Sequence, residues 1–171
     1  MKEYKVIFAD LDGTLIDTIS GETFPKGIWD MRIKFDVLDK IKEIEPSCLL
    51  IVTNQGGIEK GFVNRRNFEF KMEYLCRSIE EYTGIKVEYS YCENNDPNYK
   101  YRKPNTGMLD SLMFKMINRG VIPNGIETDK ILMIGDASGK EGQFSDSDKK
   151  CAENFGIDYM DVNDFINTKI K

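Results

Sequence analysis

The chain has 171 residues, of which 40% are hydrophobic and 31% charged, and its formal net charge is −5. This length fits one folded domain over residues 1–171, and no apolar run approaches the about 20 residues that a membrane-spanning helix needs. Because the chain contains no histidine, hydrolases that use a histidine base are excluded. Any catalytic acid or base must therefore be a carboxylate or a lysine.

The cysteines bear on the kind of metal that the chain could bind, and the first residues bear on its cellular location. The four cysteines stand far apart and form no C-x-x-C pair, so a zinc site is not expected. The first apolar segment is too short for a secretory signal, and a cytoplasmic location, or a nuclear one in a eukaryote, is expected. The acidic charge argues against broad electrostatic binding to nucleic acid, although a local basic strip can act within an acidic protein.

The apolar pattern predicts alternating strands and helices along the chain. A strand over 4–9 is followed by a hairpin or loop over 17–30, a helix over 35–44, a strand over 49–52 and a helix over 67–83. Next come a strand over 87–92, a helix over 107–119, a strand over 131–134 and helices over 147–155 and 162–170. This order predicts an α/β fold: a doubly wound, mostly parallel sheet with helices on both faces and no large cap domain. Ligands then bind beyond the carboxyl ends of the strands.

Two acids follow the first predicted strand. Asp10 and Asp12 are spaced i, i+2 and precede a glycine, so in an extended chain both carboxylates can face one small ligand. One carboxylate can coordinate a hard cation and attack phosphorus, while the other donates a proton to the leaving oxygen and later activates water. Taken alone, the same pattern is also typical of a turn or a helix cap.

Polar side chains also follow the second and third predicted strands. Thr53, Asn54 and Gln55 offer a hydroxyl and two amides before two glycines, which suits phosphoryl oxygens. Arg102 and Lys103 precede a proline, and Lys103 could neutralise both a nucleophile and a phosphate. Taken alone, the segment 53–55 is equally typical of a turn. The pair at 102–103 is also typical of two solvated basic side chains.

The fourth predicted strand also ends at an acid. Asp136 follows a glycine there and could complete an oxygen-rich magnesium site with Asp10. Asp148 opens the next predicted helix, either as an acid behind the metal ligands or as a charge that stabilises the helix N-terminus.

These motifs together resemble those of the haloacid dehalogenase superfamily. In order they are D-x-D-G-T at 10–14, T-N-Q at 53–55, K-P at 103–104 and G-D at 135–136. The resemblance implies that Asp10 is the nucleophile, Asp12 the general acid and base, and Thr53 and Lys103 the phosphate ligands. It also implies that Mg²⁺ is held by Asp10, by the backbone carbonyl of Asp12 and by Asp136. Asp148 departs from the pattern, since it lies farther beyond Gly-Asp than is usual.

The segments between the motifs resemble, more narrowly, the phosphatase domain of the polynucleotide kinase 3'-phosphatases. The matching segments are 20–25, 53–58, 102–108, 135–140 and 144–145, together with Asp148 and 152–156. This family inserts residues after its Gly-Asp, which accounts for the displaced Asp148. The resemblance implies a DNA-repair activity that removes a 3'-phosphate from a single-stranded DNA end at an uncapped site. By analogy Gly21, Asn54, Gln55 and Arg102 are candidate substrate contacts.

The same resemblance bears on possible partners, and two features of the chain depart from the family pattern. No kinase domain accompanies the phosphatase motifs, so a separate kinase or ligase is a candidate partner. The segment after Lys140 is short and lacks a basic run, and the overall charge is acidic. Both features weaken the DNA interpretation.

Two alternatives remain open. A small-molecule phosphatase of the same superfamily, acting on a sugar phosphate, histidinol phosphate or nucleotide, would use similar motifs. Such relatives often carry a cysteine and histidine zinc loop before the lysine motif, which Cys92 alone cannot build. The other alternative is a noncatalytic module that binds nucleic-acid ends, and magnesium-dependent phosphate release would discriminate it from an enzyme.

Overall fold

The computed structural model describes residues 2–23 and 25–169. In chain order its elements are β1 (Val6–Ala9), β2 (Ile16–Asp17), β3 (Arg32–Ile33), α1 (Phe35–Ile44), β4 (Cys48–Asn54), α2 (Gly56–Glu59), α3 (Arg65–Thr83), β5 (Lys86–Cys92), α4 (Gly107–Asn118), β6 (Ile131–Gly135), α5 (Ser147–Phe155), β7 (Asp158–Asp161) and α6 (Val162–Asn167). Among these described residues, no helix has the length and apolar character of a membrane span.

Five strands form one parallel sheet in the order β5-β4-β1-β6-β7. β1 lies at the centre, and none of its four residues is exposed. A continuous apolar run is what a strand covered on both faces requires. The predicted α/β fold with a mostly parallel sheet is confirmed. All the carboxyl ends of these strands meet at one edge of the sheet.

Side chains of β1 alternate between two hydrophobic cores. Ile7 and Ala9 pack with apolar residues of α1, α3 and α6 on one face. Val6 and Phe8 pack with those of α4 and α5 on the other face. Burying each large aliphatic or aromatic side chain contributes about 1.5–3 kcal/mol. The helices therefore cover both faces, as predicted from the alternation of strands and helices.

The longest helix, α3, begins and ends where its sequence requires. The Asn64 side chain accepts a hydrogen bond of 3.0 Å from the backbone N–H of Asn67, which satisfies one of the unpaired donors at the helix start. Gly84 ends the helix with φ of 73°, a conformation that favours glycine. The helix starts two residues before the predicted 67–83 because the asparagine cap lies at position 64.

Some elements differ from the prediction. β7 and the four-residue helix α2 were not predicted, and β4 extends from 48 to 54 rather than from 49 to 52. The first strand starts at Val6 rather than at residue 4, and α4 ends at Asn118. The predicted helix over 162–170 ends at Asn167, and residue 170 lies outside the described residues.

The predicted hairpin or loop over 17–30 is confirmed. β2 and β3 pair antiparallel, with Ile16 opposite Ile33, and the loop between them forms part of the cavity wall described below. The buried carboxylate of Asp30 organises this loop. It accepts bonds of 2.7 Å from both the N–H and the hydroxyl of Ser20, and one of 2.9 Å from the N–H of Lys26.

We expect Asp30→Asn to lower the melting temperature at neutral pH. The bonds from Lys26 and Ser20 lower the pKa of Asp30 to about 2. A carboxylate with a lowered pKa in the folded state stabilises the fold above its unfolded pKa, and that contribution is lost as the pH falls through the folded pKa. The difference in melting temperature between wild type and variant should therefore shrink between about pH 4 and pH 2.

Thermal unfolding followed by circular dichroism measures this effect. Glu153→Gln, on the exposed surface of α5, is the control and should show a small difference at every pH. A difference for Asp30→Asn that stays constant down to pH 2 would contradict the assignment.

Candidate active site

The polar residues predicted at the strand ends converge in one cavity of about 940 Å³. The predicted site residues on its wall are Asp10, Asp12, Gly21, Thr53, Asn54, Arg102, Lys103, Asp136 and Asp148. We call this the catalytic cavity. Gln55 does not line it but contacts two residues that do, as described below. The convergence follows from the parallel sheet, because β1, β4 and β6 all end at the same edge.

A tight turn after β1 brings Asp10 and Asp136 together. The N–H of Asp10 donates to the carbonyl of Ile134 over 3.1 Å, which extends the β1–β6 pairing to the nucleophile candidate. Gly13 has φ of 80°, and a side chain at this position would overlap the carboxylate of Asp136. Glycine is required here both for the left-handed conformation and for the close approach.

The Lys103 ammonium connects residues of β4 and α5 with the acid that follows β1. Its ammonium donates to the Asp10 carboxylate over 2.6 Å, to the Val52 carbonyl over 2.8 Å and to the Asp148 carboxylate over 2.7 Å. These bonds use all three ammonium hydrogens, and the side chain is only 2% exposed. Burial lowers the pKa of Lys103, but the charges of Asp10 and Asp148 outweigh burial and raise it. The lysine is therefore a fixed positive charge beside Asp10.

Asn54 fixes the backbone of Lys103. Its side-chain N–H donates to the Lys103 carbonyl over 3.0 Å, and its side-chain oxygen accepts from the Lys103 N–H over 3.0 Å. The Asn54 amide is thus engaged in positioning the lysine. A direct substrate contact by Asn54 stays a prediction.

Gln55 links the two residues predicted to handle the proton and the phosphate. Its side-chain N–H group donates to the Asp12 carboxylate over 2.8 Å and to the Thr53 hydroxyl oxygen over 2.9 Å. Because the Thr53 oxygen accepts this bond, its own O–H can donate to a substrate oxygen. Gln55 therefore orients Asp12 and Thr53 from behind the cavity wall.

Three carboxylates lie close enough to share a cation. One oxygen from each of Asp10, Asp136 and Asp148 falls within 4.8 Å of the others. Burial raises the pKa of Asp10 well above its ordinary value, although the Lys103 ammonium acts in the opposite direction. Burial, with the charge of Asp148, raises the pKa of Asp136 to about 6. One ammonium does not offset three carboxylates, so an added hard cation would stabilise their charged forms.

The donor set fits Mg²⁺. Both oxygens of Asp148 already accept bonds, one from Lys103 and the other from the N–H of Ala137 over 3.1 Å. Asp10 and Asp136 are thus the better carboxylate ligands. Within residues 2–23 and 25–169, the backbone oxygen of Asp12 accepts no hydrogen bond, which leaves it suited to the role that the family motif implies. Oxygen ligands of this kind are those that Mg²⁺ prefers.

The remaining predicted contacts lie on the cavity wall. The Arg102 guanidinium donates to the Asn94 carbonyl over 3.0 Å. Gly21 has φ of 76°, and a side chain there would meet no atom within 4 Å, so its backbone conformation alone favours glycine.

Several wall residues were not predicted. Lys60, at the end of α2, adds a positive charge near the glycines that follow Gln55. Asn95 fills the space beside Gly56 and donates to its carbonyl over 3.0 Å. Only the G-G pair at 56–57 signalled that another chain segment approaches here.

Comparison with known proteins decides the family. The model of the family described as polynucleotide kinase 3 phosphatase matches residues 5–166. The chain belongs to this family. It is therefore a phosphatase domain of the haloacid dehalogenase superfamily, as the motifs predicted.

Relatives within and beyond the family agree with this assignment. The bifunctional polynucleotide phosphatase/kinase of Schizosaccharomyces pombe is 34% identical over 161 residues, which are 92% of this chain and 36% of that protein. The chain thus spans about a third of that relative's length. The D-glycero-beta-D-manno-heptose-1,7-bisphosphate 7-phosphatase of Helicobacter pylori (strain ATCC 700392 / 26695) is 28% identical over 117 residues, 64% of each chain.

A solved structure shares the fold. The D,D-heptose 1.7-bisphosphate phosphatase from B. bronchiseptica, crystallised with magnesium and phosphate, superposes with a TM-score of 0.65 at 19% identity. The match covers 91% of this chain and 78% of that one. At this identity the comparison supports the fold alone.

Proposed function

We propose that this chain removes the 3'-phosphate from polynucleotide ends, with Asp10 as covalent nucleophile and Mg²⁺ as cofactor. The observation that carries the proposal is the buried Asp10 carboxylate, 2.6 Å from the Lys103 ammonium, at the base of a cavity lined by Asp12, Thr53 and Asp136. This arrangement holds a nucleophile, a counter-charge and a proton carrier around one phosphoryl group.

The proposed reaction has two steps. Bound Mg²⁺ supplies positive charge that offsets the repulsion between Asp10 and the phosphate dianion. The Thr53 O–H holds a phosphoryl oxygen, and the Lys103 ammonium offsets the negative charge, while an Asp10 oxygen attacks phosphorus in line with the leaving 3'-oxygen. The P–O3' bond breaks as Asp12 gives its proton to that oxygen. Asp12 then takes a proton from water, and the water oxygen attacks phosphorus to release phosphate and restore Asp10.

A polynucleotide substrate is favoured by the shape of the site and by the relatives. Among residues 10–23 and 25–34, the described part of the chain between β1 and α1, the short β2–β3 hairpin is the only pair of strands, so the strand-end site has no large cap on this side and a polymer can leave it. The S. pombe relative is named for both polynucleotide phosphatase and kinase activities. By the same analogy we propose a DNA-repair role in the cytoplasm or nucleus, with a separate kinase or ligase as partner.

A sugar-phosphate substrate is the second candidate. It is supported by the similarity to the Helicobacter pylori heptose bisphosphate phosphatase over 64% of this chain. Phosphate chemistry at Asp10 would be the same, and only contacts to the leaving group would differ.

Phosphate release from matched substrates tests the proposal. A 3'-phosphorylated oligonucleotide, its 5'-phosphorylated counterpart and a panel of small phosphate esters are compared with and without Mg²⁺. We expect kcat/KM for the 3'-phosphate to exceed that for every other substrate by about 100-fold or more, and activity to require Mg²⁺. Equal or better turnover of small esters would favour the second candidate. Absence of release from every substrate would favour a noncatalytic module.

A further inference from the structure

The outward side of α3 exposes two aromatic side chains in neighbouring turns of the helix. Phe70 is 63% exposed and Tyr74 is 60% exposed, and their spacing of four residues places them side by side on one face. The other side of α3, which carries Phe68, Met72 and Leu75, is buried in a hydrophobic core. Two large rings next to each other in water form an apolar patch of the kind that marks an interaction site.

Four charged side chains share this face with the two rings. At helical spacing, the exposed residues of the face are in chain order Arg66, Phe70, Glu73, Tyr74, Arg77 and Glu81. We call these six residues the outer α3 face. Within residues 2–23 and 25–169, none of its four charged side chains forms an ion pair. By contrast, the neighbouring Arg65 and Glu80 are paired with Glu93 and Lys86.

The order of residues on the outer α3 face complements itself when it is reversed. Two copies of α3 can lie antiparallel across a two-fold axis that passes between positions 73 and 74. Residues equally far from this axis then face each other, one from each copy, and every contact occurs twice. The facing pairs are Arg66 with Glu81, Phe70 with Arg77, and Glu73 with Tyr74.

Each of the three facing pairs is chemically favourable. The outer pair joins a guanidinium to a carboxylate. The middle pair places a guanidinium against an aromatic ring, an attraction between a cation and the π face of the ring. In the inner pair, a tyrosine O–H can donate to a carboxylate. A parallel arrangement would instead place each charge opposite its own copy, and like charges that face each other are unfavourable.

The balance of charges on the outer α3 face favours a second copy of this chain over nucleic acid as the partner. A polynucleotide binds where positive charge is in excess, but two arginines and two glutamates cancel on this face. The chain as a whole is acidic, with a net charge of −5. The same face of a second copy offers a matching group for each of the six side chains.

We propose that two copies of this chain associate through their outer α3 faces as an antiparallel, two-fold symmetric pair. The helix of 19 residues is about 28 Å long. It begins near the carboxyl ends of the strands, after β4 and α2, and ends at the opposite edge of the sheet, before β5. Antiparallel pairing therefore places the two catalytic cavities at opposite ends of the pair. One helix face per copy is a small interface, so we expect a transient association.

Sedimentation velocity of the wild-type chain between about 1 µM and 1 mM tests the association. The weight-average mass should rise from that of one chain to that of two. Phe70→Ala should raise the dissociation constant by about 10-fold or more, because a buried aromatic ring is lost from both copies. Phe114→Ala is the matched control, since it removes a ring that is 69% exposed on α4, and it should leave the dissociation constant unchanged.

Charge reversal tests the antiparallel pairing itself. Arg66→Glu and Glu81→Arg each place like charges opposite one another in a pair of identical copies, so each variant alone should keep the mass of one chain. An equal mixture of the two variants should associate, because each then offers the charge that the other requires. Lys149→Glu, on the exposed surface of α5, changes the net charge as Arg66→Glu does and should associate like wild type. Circular dichroism establishes that every variant is folded.

Three results would overturn the inference in distinguishable ways. A wild-type chain that keeps the mass of one chain over the whole range does not form the pair. If wild type associates but the mixture of charge variants does not, the association uses another surface. If wild type stays monomeric and Arg66→Glu weakens its binding to a single-stranded oligonucleotide, the outer α3 face binds nucleic acid instead.

Discussion

Asp10→Asn should reduce kcat for every phosphate ester by a factor of at least about 10⁴, the scale seen when a covalent nucleophile is removed. A neutral amide cannot form the aspartyl-phosphate. The substitution keeps the size of the side chain, and its oxygen can still accept the hydrogen bond that Lys103 donates to Asp10 over 2.6 Å. Steady-state phosphate release measures the loss, and thermal unfolding establishes that the variant is folded.

Asp17→Asn provides the matched control for this experiment. Asp17 lies on the wall of the same cavity, but its carboxylate faces Arg32 at 3.7 Å rather than the Lys103 ammonium. The Asp17→Asn variant should retain most of the wild-type rate of phosphate release. Near-normal turnover by Asp10→Asn would exclude the covalent scheme, as would a failure to trap a hydroxylamine-sensitive phosphoenzyme in the wild type.

Lys103→Met should impair both stability and catalysis. The variant leaves the Asp10 and Asp148 carboxylates buried without their cation and leaves the Val52 carbonyl without its donor. Breaking a buried ion pair by removing one partner typically costs about 3–5 kcal/mol. We expect a loss of this size in the free energy of unfolding, measured by urea denaturation without Mg²⁺, together with loss of detectable turnover.

A second substitution separates the two effects. Lys103→Met/Asp148→Asn removes one of the uncompensated charges, so it should recover part of the lost stability without recovering activity. Lys115→Met is the control, because Lys115 pairs with Glu88 at a half-exposed site and should cost about 1 kcal/mol or less. If Lys103→Met is as stable as this control, the lysine does not hold the site together.

The sequence pattern predicts those parts of the fold that depend on local burial. The three inner strands β1, β4 and β6 are buried apolar runs, and such runs are recognisable without knowledge of their neighbours. β7 escaped prediction because Asp158–Asp161 places an acid at each end of a short strand at the sheet edge. α2 has four residues, two of them glycines, which is too few for a helical period to appear.

In the candidate site too, the sequence predicts the residues that follow a buried strand but not the contacts between distant segments. Asp10, Asp12 and Asp136 follow predicted strands directly, so their convergence follows from the order of a parallel sheet. The engagement of Asn54 with the backbone of Lys103 depends on a contact across 49 residues, and that of Gln55 with Asp12 on one across 43. A local sequence pattern does not predict contacts between residues this far apart in the chain.

The position of β1 in the middle of the sheet affects how the chain folds during its synthesis. β1 can pair with β4 once residue 54 has emerged from the ribosome, but its other neighbour, β6, begins at Ile131. At about 5–20 residues per second, the intervening segment takes roughly 4 to 15 seconds to make. During that interval the most apolar strand of the protein presents an unpaired edge, which is a template for aggregation. Nascent chains should therefore depend on chaperones most strongly between the synthesis of β4 and that of β6.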